Sequence, residues 1–341
     1  VNELNTPENN HSSRSTGRGT SFLLALRRFL LVKELASVIM LVVVILIFYV
    51  LSSEFMSLDN LRVILQMLPE LGILTIGVTL LMISGEFDLS VGSVFALAPV
   101  LNGLMLFSGW NPLIAFILPL IACLGVGALN GIVTTKLNIP SFITTLGSMM
   151  VWRGIVLVIS SGFPFPWMDT ARPFQRILVG DLGIMRVSMI WYAALIIIFW
   201  IMLERSRFGN WMFAVGGSSR AARALGIIPD RVKICSFIIV AFLAGLAGMV
   251  QYMRLEAPLP SAGTALELDT IASSVIGGAA LAGGAGSVIG SLLGSVLIRI
   301  VDSGLILAGA PSYWFRVFVG LLLVIAVAFN RLVERTIEKV R

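Results

Sequence analysis

The chain has 341 residues, 57% of them hydrophobic and only 12% charged, with a formal net charge of +6. A soluble domain carries about 25% charged residues, and half that supply cannot dress a water-facing surface, so lipid must solvate most of this chain. A cytosolic enzyme, a disulfide-stapled secreted scaffold and a disordered chain are excluded together, and a mean hydropathy of +0.98 agrees.

His11 is the single histidine and sits in a polar tail. Zinc sites and Ser–His or Cys–His dyads need an imidazole inside the folded body, so no catalytic and no metal-ligating residue is assigned. Cys123 and Cys235 fall in separate apolar runs and read as small hydrophobes. The sequence lacks the Gly-Lys-Ser/Thr ending of a P-loop, so ATP is not held by that route. If ATP supplies energy, another chain binds it.

Residues 1–30 read as a flexible polar cytoplasmic tail rather than a signal peptide. Residues 31–341 read as one transmembrane domain. Ten apolar segments follow, at 35–52, 63–84, 91–108, 112–134, 141–160, 187–203, 233–252, 269–283, 286–302 and 314–330. A span needs about 20 residues, and most qualify. The fold class expected is therefore an all-α membrane protein of about ten transmembrane helices. Segments 269–283 and 286–302 are short and interrupted by Gly283-Gly284-Ala285-Gly286, which marks broken helix; one bent span, two tilted spans or a re-entrant pair all fit.

With both termini cytoplasmic and ten crossings, the cytoplasmic pieces hold 16 of the 24 Lys and Arg residues. The opposite orientation would place that excess outside, against the positive-inside rule. The net charge is thus a topology signal and not a nucleic-acid footprint.

Four stretches carry chemistry. In Gly85-Glu86-Phe87-Asp88-Leu89-Ser90-Val91-Gly92-Ser93, two carboxylates stand between apolar segments. A charge at membrane depth costs at least ~2.5–3.5 kcal/mol and lines a cavity or finds a partner. Asp88 fits either a helix cap near Ser90 or a gate on a solute path. After Pro140, the hydroxyls and ring of Phe142, Thr144 and Thr145 fit a polyol contact or plain packing with back-bonding to the helix. Arg153, further along the same segment, needs an acidic or carbonyl partner if buried.

The segment 204–233 is basic and carries a short helix signal. Ser218 or Ser219 caps it, Ala221, Ala222 and Leu225 form a small apolar face, and Gly226 ends it. Such a stub, Ser219, Arg220, Ala221, Ala222, Arg223, Leu225, Gly226 and Ile227, suits either a groove on a soluble partner or anionic lipid. Last, Glu267-Leu268-Asp269 leads to Gly283, Gly284 and Gly286, and the spacing of Gly286, Gly290 and Gly294 puts bare patches on one helix face for close packing. The proline- and aromatic-rich stretch 162–186 reads as an ordered external loop.

Taken in order, these stretches resemble the inner-membrane permeases of ribose-, xylose- and galactose-type ABC importers, relatives of branched-chain amino acid permeases. The matching runs are the turn at 85–93, Asn130-Gly131 through Ile139-Pro140-Ser141-Phe142 to Thr145-Leu146-Gly147, Ala221-Ala222 with Gly226-Ile227, and Glu267-Leu268-Asp269 with Gly277-Gly278, Gly283-Gly284 and Gly286-Ser287. The resemblance spans about residues 35–330. It implies a type II-like importer permease with scope for an inverted repeat, paired as a dimer with a second copy or a similar permease. Two ABC ATP-binding subunits would grip the stub from Ser219 to Gly226 and hold ATP and Mg, so this chain needs no cofactor. A periplasmic solute-binding protein would deliver the sugar. On this reading Glu86, Asp88, Ser90, Phe142, Thr144, Thr145 and Arg153 belong to the path or gate. Two departures stand out: Glu86 and Phe87 replace a glycine and an isoleucine of the family turn, and Ala285 stands where many relatives have arginine. The competing classes are a permease for another small polar metabolite, a stand-alone proton-coupled carrier using Glu70, Glu86, Asp88 or Asp302, and an intramembrane protease. The basic docking stub disfavours the carrier, and the missing histidine disfavours the protease.

Overall fold

The computed structural model describes residues 35–339, apart from residue 312. The polar tail expected at 1–30 lies outside the described residues. Among the described residues thirteen α-helices follow one another: α1 Leu35–Leu51, α2 Leu58–Ile83, α3 Val91–Phe107, α4 Pro112–Lys136, α5 Ser141–Ser160, α6 Arg172–Val179, α7 Val187–Arg205, α8 Arg207–Gly217, α9 Ser219–Ala224, α10 Pro229–Leu255, α11 Leu266–Ile276, α12 Val288–Leu307 and α13 Trp314–Lys339. No strand occurs among the described residues; residues 181 and 186 form an isolated bridge.

Local chemistry sets the helix starts. The hydroxyls of Ser57, Ser206, Ser218 and Ser287 accept the N–H three residues on, opening α2, α8, α9 and α12, each satisfying one orphan donor. Pro112 and Pro229 occupy first helical positions of α4 and α10, where a missing N–H costs nothing.

Six helices, α2, α4, α5, α7, α10 and α12, are long and apolar enough to cross a membrane. Shorter apolar helices are α1, α3 and the first part of α13. In α2, 72% of the most apolar stretch is buried, against 11% in α5 and 17% in α7. In water that arrangement would leave α5 and α7 exposing broad apolar faces; in lipid those faces need no cover. The centre is built by α2, α3 and α10, with α10 packed along α4, α2 and α3, and α12 seated on α2 and α11. Phe95, Phe237 and Tyr252 are among its largest fully buried side chains. Hydroxyl pairs join helices across it: Thr79 to Ser274 at 2.9 Å and Tyr192 to Ser295 at 3.0 Å.

At the late glycines one sequence expectation, the broken helix, is made definite and another changes. Segment 269–283 yields only α11, 11 residues long, about 16 Å at 1.5 Å per residue and well short of a ~30 Å hydrocarbon core. The chain turns through 277–287 before α12 begins. Gly286 has a φ of +151° and lies ahead of the Ser287 cap, so it is not on the α12 face with Gly290 and Gly294. Those two do pack closely: a Cβ on Gly290 would strike the Gly277 carbonyl, and one on Gly294 the Ser273 carbonyl of α11. The stretch 162–186 is more ordered than a loop. It forms a 3₁₀ turn and α6, with Phe174 stacked on Phe116 at 4.9 Å and Trp167 edge-on to Tyr252 at 5.8 Å.

Candidate functional site

The turn between α2 and α3 is held from three sides. The Asp88 carboxylate is 1% exposed; its Oδ1 accepts from the Ser90 N–H at 2.7 Å and the Ser90 hydroxyl at 2.6 Å. Asn130 of α4 donates to Ser90 Oγ at 2.9 Å and more distantly to Asp88 Oδ2 at 3.4 Å. From α5, Thr145 Oγ1 accepts the Leu89 N–H at 3.1 Å and Ser141 Oγ the Phe87 N–H at 3.3 Å. Asp88 therefore organises the turn as a local side-chain-to-backbone bond two residues ahead. Burial pushes its carboxyl above the ordinary range, opposed by the bonds from Ser90 and Asn130.

The structure thus gathers Asp88, Ser90 and Thr145 and adds Asn130 and Ser141. Phe142 points outward, 55% exposed, and Thr144 occupies another side of α5 with its hydroxyl unpaired. Arg153 finds carbonyl partners. Its guanidinium donates to the Pro260 and Ala262 carbonyls, both at 2.8 Å, and to Gly92 O at 2.9 Å. It thereby ties the connection 256–265 to the start of α3. That connection needs holding, because Glu256 and Ala265 both have φ above +50°, a sparsely populated region for side-chain-bearing residues.

The stub follows its sequence signal closely. Ser218 accepts the Ala221 N–H at 3.2 Å, α9 runs six residues, and Gly226 terminates it at a φ of +83°. Its apolar face differs from expectation. Ala222 alone turns inward, 1% exposed, while Leu225 stands 79% exposed. Ala221 and Leu225 are four residues apart and share a helix side; Ala222 is rotated about 100° away, toward the body.

Beside α9 lies a polar cavity of about 200 Å³, lined by Glu86, Thr134, Asn138, Arg223, Asp230 and Lys233 among others. Lys233 pairs with Glu86 at 2.5 Å, and Lys136 with Asp230 at 2.7 Å. The end of α8, just ahead of the stub, also meets the α2–α3 turn through backbone. Gly284 donates its N–H to the Ile83 carbonyl at 2.9 Å. A Cβ on Gly283 would come within 2.7 Å of Gly85 Cα, and one on Gly284 within 2.7 Å of the Gly217 nitrogen. Three connections remote in sequence touch there with no side chain between them.

The carboxylates a proton-coupled carrier would use are engaged. Glu70 is paired with Arg254 and receives Gln251, Glu86 holds Lys233, and Asp302 faces Arg299 at 3.4 Å. Sequence reasoning did not assign Asn130, Asp230 or Lys233. Asn130 was readable as a polar residue inside an apolar run; the other two acquire partners only through the fold.

Residues 60–327 match the family model described as branched-chain amino acid transport system / permease component. The chain is 34% identical to the ribose import permease protein of Bacillus subtilis (strain 168), covering 85% of this chain and 90% of that one. It is 32% identical to the xylose/arabinose import permease protein of Sulfolobus acidocaldarius, over 88% and 85% of the two chains. It is also 32% identical to the autoinducer 2 import system permease protein of Photorhabdus luminescens, over 85% and 87%. No solved structure matches. A match running through the buried turn, the stub and the late glycines alike leaves one conclusion: the chain belongs to the branched-chain amino acid transport system / permease component family, and is the permease part of an ABC transporter, not its ATPase subunit.

Proposed function

We propose that the chain is the membrane-spanning subunit of an ATP-driven importer that carries a pentose- or hexose-like sugar across the bacterial inner membrane. The observation that carries this reading is the similarity to ribose and xylose/arabinose import permeases along more than four-fifths of the chain. A periplasmic binding protein delivers the sugar, and two copies, or this chain and a similar one, enclose the path. Both termini are cytoplasmic and about ten segments enter the membrane, the short α11 completing its crossing only together with the connections that flank it, and residues 31–341 form one domain behind the 1–30 tail.

In this scheme ATP and Mg sit on the partner ATPase, and this chain's residues transmit and gate. The stub from Ser219 to Ile227 docks on the ATPase, which fits the exposed Leu225, Arg220 and Arg223 beside the inward anchor Ala222. Asp88, Ser90 and Thr145 hold the gate turn, Glu86 borders it on the cytoplasmic cavity, Phe142 and Thr144 belong to the adjoining path, and Arg153 fixes the loop opposite. Gly283 and Gly284 join the turn to the end of α8 ahead of the stub, Gly286 gives the break before α12, and Gly290 and Gly294 seat α12 on α11.

The test is reconstitution of the chain with its ATPase and binding protein in liposomes, with labelled ribose and xylose. Uptake that needs all three components and ATP is expected. Uptake by this chain alone under a proton gradient, indifferent to ATP, would overturn the reading. The similarity to the autoinducer 2 permease favours a second reading, another small polar metabolite as cargo; failure of every pentose and hexose to compete for the binding protein would select it.

A further inference from the structure

A line of charge runs along one wall of the cytoplasmic cavity. At one end Arg223, on the stub, faces Asp230 at 3.8 Å, and Asp230 also holds Lys136 at 2.7 Å. Asp230 and Lys233 lie three residues apart in the first turns of α10, so they share a helix side. Lys233 closes the line on Glu86 at 2.5 Å. The last pair is the most shielded, its side chains 20% and 11% exposed, whereas Arg223 is 72% exposed. A shielded pair is screened less by salt than a surface one, and removing one member leaves the other charge poorly compensated. The Glu86 side chain is what reaches from the turn to α10.

We infer that the Glu86–Lys233 pair is a positioning strap: it ties the α2–α3 turn to the foot of α10, so that displacement of the stub reaches the turn through Asp230 and Lys233. The inference rests on the importer reading and on the stub as its ATPase contact. The strap favours the arrangement in which the cavity is narrow. An arrangement that parts α10 from the turn exposes both charges to water and forgoes their attraction. Without the strap, the turn moves independently of the stub, and hydrolysis in the partner no longer commits the permease to transport.

The experiment uses the full complex in proteoliposomes, with ribose or xylose, whichever the unaltered complex imports. Sugar imported per ATP hydrolysed is measured for Glu86→Gln, Lys233→Gln and the charge-swapped double variant Glu86→Lys with Lys233→Glu. Each neutral variant is expected to lower that ratio about fivefold or more, with basal hydrolysis rising, and the swap to restore it to within about twofold of the unaltered complex. A structural role alone would lower the amount of folded complex and its melting temperature while leaving the ratio intact, and that result overturns the strap. So does a swap no better than the single changes. Absence of ATP-driven import by the unaltered complex, seen before any variant is made, overturns the importer reading instead.

Discussion

Asp88 shows how much one buried carboxylate can organise. It holds two donors of Ser90 on one oxygen and stands within reach of Asn130 on the other, and hydrogen bonds to a charged group contribute about 1.5–3 kcal/mol each. Asp169, by contrast, forms a surface pair with Arg172 at 2.8 Å, with side chains 78% and 59% exposed, and such pairs contribute about 0–1 kcal/mol. Asp88→Asn is therefore expected to cut the initial uptake rate about tenfold or more, and Asp169→Asn to leave it within about twofold. Equal uptake from both variants in proteoliposomes would remove Asp88 from the gate. The partners of Asp88 and Arg153 were only half legible in the sequence. A buried arginine announces that it needs acceptors, but carbonyls 107 and 109 residues away become neighbours only once the connection 256–265 has folded back over α3.

Helices and their ends were the most legible level. Ser218 and Gly226 bracket α9 as their chemistry dictates. Spacing does not fix backbone conformation: the four-residue interval suggests Gly286 for the α12 face, while its φ of +151° keeps it out of the helix. Gly294→Leu should drive the side chain into the Ser273 carbonyl of α11, whereas Gly154→Leu meets nothing within 4 Å. Overpacking costs about 1–3 kcal/mol or more; thermal melting in detergent should show Gly294→Leu destabilised or unfolded and Gly154→Leu unchanged. On the stub, Leu225→Asp removes an exposed apolar anchor and Gly226→Pro imposes a φ near −65° where the chain needs +83°. Both should leave the permease folded and hydrolysis running while uptake per ATP falls about fivefold or more; normal uptake in both would dissociate the stub from docking.

For the whole molecule, composition alone fixed the medium, and the distribution of burial agrees: α2 and α10 form the interior while α5 and α7 present apolar faces outward. Orientation rests on basic residues and is open to direct test. Single cysteines at Ser219 and Asp169, introduced after replacing Cys123 and Cys235, are expected to react with a membrane-impermeant maleimide from opposite sides, Ser219→Cys only from the cytoplasm. Labelling of both from one side would invert or break the ten-crossing topology. The break near α11 was legible in its glycines, but that Cys123 is buried while Cys235 is exposed was not, because that depends on which faces meet and not on how apolar a segment is.

The bond from the Gly284 N–H to the Ile83 carbonyl has a consequence for biogenesis. The donor is synthesised roughly 200 residues after its acceptor, so the end of α2 cannot be completed while the ribosome is still making the middle of the chain. Until the late glycine turn arrives, the Ile83 carbonyl lacks this donor. Truncation anywhere before that turn should then yield inserted but unlocked helices, prey for membrane quality-control proteases.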